Sequence, residues 1–251
     1  MKDETTYRDR FKSVDNVHSY EFGQYAAGSY GELLWRIERE CLQHIIDEYR
    51  STQPVLEYLD FATGTGRIIS FVEKMVGCAT GIEISNEMAA VARRKVSSSK
   101  IICCDITNKD CAIEGKYDLI TAFRFFLNAE QVLRMATFRA LAGRLRDSNS
   151  ILIFNNHGNL WSYRLLAWPY YCLKGIQQNA WRPNYLSHSQ VLSMVEQSGM
   201  EVVRVIGCGV FSGKLAKVLA FEKALNLEKW AARHRFLSRF GANQIYIARL
   251  K

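Results

Sequence analysis

The sequence predicts an α/β fold, a parallel sheet with helices on both faces, and three observations predict it. Short apolar runs alternate with segments of helical periodicity from Val55 to Asn155. The first run, Val55–Asp60, passes into the turn Gly64-Thr65-Gly66 and a following helix. The chain has 251 residues, 48% of them hydrophobic, enough to bury the core such a sheet needs. We read residues 1–251 as one domain.

Residues 1–30 are polar but dotted with Tyr7, Phe11, Tyr20, Phe22, Tyr25 and Tyr30, the composition of an arm or lid. From Glu32 to Tyr49, the apolar positions Leu33, Leu34, Ile37, Cys41, Ile45 and Ile46 predict an amphipathic helix that stops before Pro54. Strands are predicted over Val55–Asp60, Ala79–Ile84, Lys100–Cys104, Tyr117–Phe123 and Ser150–Asn155. Helices over Arg67–Met75, Asn86–Val96 and Ala129–Leu145 fall between them. Residues 156–186 break the pattern with Trp161, Tyr163, Trp168, Tyr170, Tyr171, Trp181 and Tyr185. Such an insertion suits a substrate cover or, equally, a satellite hydrophobic cluster under a loop. A helix over Ser187–Ser198 follows, capped by Ser187 or Ser189 and stopped by Gly199. A strand over Glu201–Cys208, a largely helical insertion within 211–241 (Leu215–Phe240) and a last strand over Gln244–Leu250 complete the chain.

The formal charge of +8 spreads along the whole length without a dense block, which favours a solvated basic surface over a nucleic-acid patch. Seven cysteines, none in a C-x-x-C pair, suggest neither a disulfide framework nor a zinc site, and no metal is expected. The polar amino terminus lacks a signal peptide's apolar core, and no run approaches the ~18 to 20 apolar residues of a membrane span. The expectation is a soluble, cytoplasmic protein of undetermined oligomeric state.

A strand, glycine turn and helix make a ligand cradle, because the glycines permit close backbone approach and the helix start offers unpaired N–H groups. Dinucleotides and S-adenosylmethionine both use it. The dinucleotide fingerprint needs a third glycine three residues after the second, and here Ile69 stands there, which argues against NAD. A carboxylate at a strand end, such as Glu83, can accept from two neighbouring hydroxyls, and Asp105 can accept from an amine. Ile84, Met88, Cys104 and Ile106 would supply apolar walls.

With Asp60, Ala62, Thr63, Gly64, Gly66 and Arg67 at the first turn, Glu83 ending the second strand, Asp105 after the third and Tyr117-Asp118-Leu119-Ile120 in the fourth, the chain resembles the class I S-adenosylmethionine-dependent methyltransferases. The resemblance implies a Rossmann-like sheet of seven strands with the last antiparallel, and S-adenosyl-L-methionine as methyl donor, leaving S-adenosyl-L-homocysteine. It also implies that Glu83 binds the ribose hydroxyls and that Asp105 lies near the adenine amino group. Tyr20, Tyr30, Phe123 and Arg124 join the expected donor-binding set.

For catalysis, His157 follows the fifth strand at the carboxyl edge of the sheet, where open α/β folds bind ligands, and Arg124 follows the fourth. His18 is a second candidate base; a structural histidine in a turn is as good a reading of His157. The segment Ala-Phe-Arg-Phe-Phe-Leu-Asn at 122–128 lacks the Asn/Asp-Pro-Pro-aromatic motif of nucleobase amine methylation, and no Pro-Cys pair occurs. We therefore expect methyl transfer to oxygen or nitrogen of a small-molecule, glycan-like or lipid-linked acceptor, with no DNA partner. Alternatives are a non-catalytic donor-binding sensor or scaffold and, ranked below it, an RNA methyltransferase. The basic, amphipathic stretch Lys214–Arg239 allows peripheral membrane contact, although a surface helix packed on its own domain is the simpler reading.

Overall fold

The computed structural model describes residues 26–52, 56–108, 111, 113–163, 165, 185–211 and 218–251. Most of the expected arm, with Tyr20 and His18, lies outside the described residues, as do most of the aromatic insertion and the start of the 211–241 insertion.

Seven strands form one sheet in the order β3-β2-β1-β4-β5-β7-β6. They are β1 (Glu57–Phe61), β2 (Cys78–Glu83), β3 (Lys100–Cys103), β4 (Leu119–Ala122), β5 (Ile151–Asn156), β6 (Met200–Cys208) and β7 (Asn243–Leu250). Every pairing from β3 through β5 is parallel, while β7 runs antiparallel to both β5 and β6. This is the expected Rossmann-like sheet of seven strands with the last antiparallel.

Alternation along the strands builds two cores. On one face, Tyr58, Leu119, Ile151, Ile153 and Ile247 pack under α1 (Tyr30–Arg50), α2 (Ile69–Val72) and α3 (Asn86–Lys95). On the other, Leu59, Ile120, Leu152, Phe154 and Tyr246 pack under α4 (Gln131–Ala142) and α5 (His188–Glu196). Strands buried on both faces read as continuous apolar runs, which is why β4 and β5 are legible in the sequence. Ser29 caps α1 by accepting from the Glu32 N–H at 3.1 Å. Of the two capping candidates for α5, Ser187 serves, in a capping box with Gln190.

Two helices are shorter than expected. The segment Arg67–Met75 keeps only Ile69–Val72 as α-helix, because i→i+3 bonds from the Phe71 and Met75 N–H groups tighten the turns on either side. The helical stretch Leu215–Phe240 is described as α6 (Phe221–Arg233) and the single turn α7 (Arg235–Ser238), broken at His234, whose φ of −85° and ψ of 107° are extended. Just beyond the break the end of α7 presses directly onto β6, where a Cβ at Gly207 would lie 1.7 Å from the Ser238 carbonyl oxygen.

The cysteine spacing suggests no disulfide framework, yet Cys104 and Cys111 are bonded to each other. Turn hydrogen bonds from Asn108 N–H to Asp105 O and from Cys111 N–H to Asn108 O fold this loop back on itself, a proximity no short cysteine motif records.

Glu73 fixes the loop between α3 and β3. Its carboxylate accepts from the N–H and hydroxyl groups of Ser97, Ser98 and Ser99. Burial alone would raise this carboxyl, but the serine hydrogen bonds outweigh it and bring it down to about 2. A depressed folded-state pKa stabilises the fold above the ordinary carboxyl range and stops doing so as pH falls through the folded value. Urea unfolding of Glu73→Gln is expected to show a loss of about 2 kcal/mol near neutrality. That difference should shrink as pH falls toward about 2; a gap independent of pH would remove the charge from the explanation.

Candidate active site

The carboxyl ends of β1, β2, β3 and β4 open into a cleft of about 840 Å³, continuous with solvent. Strand order reverses between β1 and β4, and this switch point is where open α/β sheets leave a crevice. Ala62 and Gly64 of the first turn, Glu83 and Ile84 after β2, Met88 of α3, Cys104, Asp105 and Ile106 after β3, and Phe123 and Arg124 after β4 all line it. A smaller recess of about 330 Å³ beside it takes in Asp60, Thr63, Thr65 and Arg67. Thirteen of the expected site residues therefore converge on one edge.

The turn after β1 is shaped by positive φ angles at Ala62 (54°), Gly64 (58°) and Gly66 (84°). Gly66 also has no room for a side chain, since a Cβ would lie 3.0 Å from the Ala92 Cα. The turn thus packs closely on α3 through Gly66, leaving Ile69 free to be a fully buried core residue where a dinucleotide site would need glycine. Gly64 N–H donates to Glu83 Oε2 at 2.7 Å, and Ser85 N–H donates to Oε1 at 2.9 Å. Both oxygens are aimed by backbone and keep lone pairs for a further donor. Burial raises the Glu83 carboxyl above its ordinary value, against the two N–H groups.

Asp60 is buried beneath the turn. Thr121 Oγ1 donates to its Oδ1 at 2.5 Å and itself lies 2.6 Å from the Tyr58 hydroxyl. Its Oδ2 is buried with no hydrogen-bond partner among the described residues. Burial pushes the carboxyl up to about 7, against the hydroxyl hydrogen bonds. A buried carboxylate with one oxygen still free to accept can take a further hydrogen-bond donor. Asp105 accepts from the Thr107 N–H at 2.9 Å and its hydroxyl at 2.7 Å, which orders the loop after β3.

Arg124 lines both cavities, at φ 61°, held by a buried network that the sequence reading missed. Its Nη2 lies 2.7 Å from Glu38 Oε1, and its N–H donates to Asn155 Oδ1 at 2.7 Å. Asn243 Nδ2 donates to the same Glu38 oxygen at 2.7 Å, and Asn155 Nδ2 donates to Asn243 Oδ1 at 2.8 Å. The network gathers residues from α1, the β4 end, β5 and β7. One signal was present: Glu38 sits four residues from both Leu34 and Leu42, a lone carboxylate on the apolar stripe of α1, and it is fully buried. Phe61, Phe125, Asn128, Leu133 and Thr137 also line the cleft.

The remaining candidates lie elsewhere. His157 follows β5 as expected but is not among the cleft-lining residues. Tyr30 donates its hydroxyl to the Phe211 carbonyl at 3.0 Å and packs against Gly209, away from the cleft.

Residues 59–148 match the sequence profile of a family described as a methyltransferase domain. No curated protein sequence matches the chain. Among solved structures, magnesium protoporphyrin IX methyltransferase from Synechocystis PCC 6803, with bound S-adenosylhomocysteine, superposes with a TM-score of 0.66 at 14% identity, over 97% of this chain and 98% of that one. A S-adenosylmethionine-dependent methyltransferase from Clostridium acetobutylicum ATCC 824 gives 0.59 at 14% identity, over 94% and 98%. A putative sarcosine dimethylglycine methyltransferase from Galdieria sulphuraria gives 0.56 at 13% identity, over 84% of each chain.

Proposed function

We propose that this chain, whose residues 59–148 match a methyltransferase domain, takes S-adenosylmethionine as its methyl donor and methylates an oxygen or nitrogen of a small-molecule or glycan-like biosynthetic intermediate. The observation that carries the small-acceptor reading is the packing of the segment after β4. Phe123 and Phe125 lie in the cleft wall but, like Phe126, are buried at 5%, 5% and 1% exposure, and Phe125 and Phe126 are packed against Phe61, Phe138 and Phe154, so none of the three leaves a ring face open for stacking a flipped base.

Glu83 accepts the two ribose hydroxyls, Ile84, Met88 and Ile106 enclose the adenine, and Asp105 and its loop meet the ring's polar edge. Asp60 receives the amino-acid end of the donor in the recess beside Gly64, Thr65 and Arg67. The donor supplies a methyl carbon activated by a sulfonium. The protein's own contribution is positioning: the turn at 62–66 and the Glu38-held Arg124 segment fix the two sides of the cleft, and the apolar walls keep water out.

Two expectations follow. Since Asp60 is held at about 7 in the free protein and receives a positively charged end, donor affinity should rise with pH up to about 7, with proton release on binding. Calorimetry in buffers of different ionisation enthalpy reads this directly, and Asp60→Asn should abolish the proton release; unchanged release would assign it to another group. His157 stands outside the cleft lining, so His157→Ala should keep turnover within a few-fold, whereas a loss of about 100-fold or more would give it a general-base role.

To test the acceptor class, labelled donor is incubated with the protein and a fractionated cell extract. Label in the low-molecular-weight or glycan fraction is the expected result. Label confined to RNA would replace this reading with the RNA alternative.

A further inference from the structure

We propose that the cleft-side edge of the molecule docks on an anionic lipid surface, through the exposed apolar side chains of the segment after β5 and of α6–α7. Among the described residues, Leu160, Trp161 and Leu165 are exposed after β5, with Trp161 at 57%. On the other side stand Trp230 at 50%, Phe236 at 69% and Phe240 at 42%.

The two segments meet at their bases. Asn159 Nδ2 donates to the Arg239 and Gly241 carbonyls, each at 3.0 Å, and its N–H donates to the Ala242 carbonyl at 3.2 Å. These bonds tie the base of the 160–165 segment to the turn that follows α7. Their exit from the sheet is also defined. In the sheet register Asn156 pairs with Gln244, and Cys208 with Asn243, so both segments leave the sheet at the carboxyl edge of its parallel strands. The cleft opens at that same edge. Both apolar segments therefore leave the sheet at the edge where the cleft opens.

Charge decides the occupant. Residues 229–242 contain Lys229, Arg233, Arg235 and Arg239 and no Asp or Glu, while of the two acids earlier in α6 Glu222 pairs with Arg36 and Glu228 is buried. Arg233, Arg235 and Arg239 are exposed beside Phe236 and Phe240, while Lys229 is engaged by Glu40. Aromatic side chains interleaved with exposed arginines match a membrane interface, where rings sit at headgroup depth and guanidinium groups meet anionic headgroups. No helix among the described residues is long and apolar enough to cross a membrane, so the contact is one of surface docking.

The experiment is sedimentation of the full chain with vesicles of phosphatidylcholine alone and of phosphatidylcholine mixed with phosphatidylglycerol. Binding is expected to the mixed vesicles only and to weaken with salt. Arg235→Glu/Arg239→Glu should weaken it by at least about 30-fold, as two basic contacts are lost. Trp161→Ser/Phe236→Ser should weaken it by a similar factor, while S-adenosylhomocysteine binding stays unchanged in both variants and so reports an intact cleft. As an independent reading on the unsubstituted chain, brominated lipid should quench tryptophan fluorescence. No binding to the mixed vesicles overturns the proposal, as does binding that the apolar variant leaves intact, or retention on RNA without vesicle binding.

Discussion

Glu83→Ala should weaken S-adenosylmethionine binding by about 100-fold or more, because it removes the charged acceptor we propose for the donor's two ribose hydroxyls and frees the turn that the same carboxylate pins. In the free protein Glu83 takes one N–H from Gly64 and one from Ser85, so each oxygen arrives at the cleft already oriented. Glu83→Gln preserves the volume but must point an amide N–H at one of those backbone donors, and it should recover little. The pH dependence has a fixed sign. Burial raises the Glu83 carboxyl, so its protonation, and the loss of donor affinity that goes with it, should begin on acidification above the ordinary glutamate range. Titration calorimetry across pH reads both effects; wild-type affinity in Glu83→Ala would remove Glu83 from the donor site.

Glu38→Ala is expected to cost about 3–5 kcal/mol of stability, since it removes the buried carboxylate oxygen that Arg124 Nη2 and Asn243 Nδ2 share. Glu38 is fully buried, and the Arg124 side chain is 13% exposed. Arg124→Ala should cost a comparable amount by leaving the Glu38 carboxylate without its cation. The double substitution should cost less than the two single losses added, because each single change already breaks the shared contact. Turnover should fall with either substitution, as the segment lining the cleft after β4 loses the anchor that holds Arg124 at positive φ. Chemical unfolding of the three variants checks the energies, and strict additivity would mean that the pair is not coupled.

The convergence of the first turn, Glu83 and Asp105 on one cleft was legible in the sequence because its determinants are local. Gly64 and Gly66 lie within seven residues of the strand that precedes them, and Glu83 and Asp105 each stand at or just beyond a strand end that hydrophobic patterning locates. The Glu38 network was not legible, since residues 38, 124, 155 and 243 meet only when α1, β4, β5 and β7 assemble. A carboxylate inside an apolar helical stripe is the one trace it leaves. Helix ends failed for a different reason. Periodicity in Arg67–Met75 and Leu215–Phe240 records which side faces the core, not whether the backbone bonds are i→i+4 or i→i+3. At His234 the extended backbone ends α6 where the periodicity continues, and nothing in the local pattern marks it. The Cys104–Cys111 bridge escaped for the same reason as the network: it depends on how the loop after β3 turns.

The most direct test of donor-dependent methyl transfer at this cleft is a single-turnover measurement with S-adenosylmethionine labelled on the transferred methyl group, using extract as the acceptor source. The expected result is one S-adenosylhomocysteine formed for each labelled product, with both lost in Glu83→Ala. Saturable donor binding with no label leaving the donor, across all acceptor fractions, would contradict it and leave a protein that binds S-adenosylmethionine without transferring its methyl group.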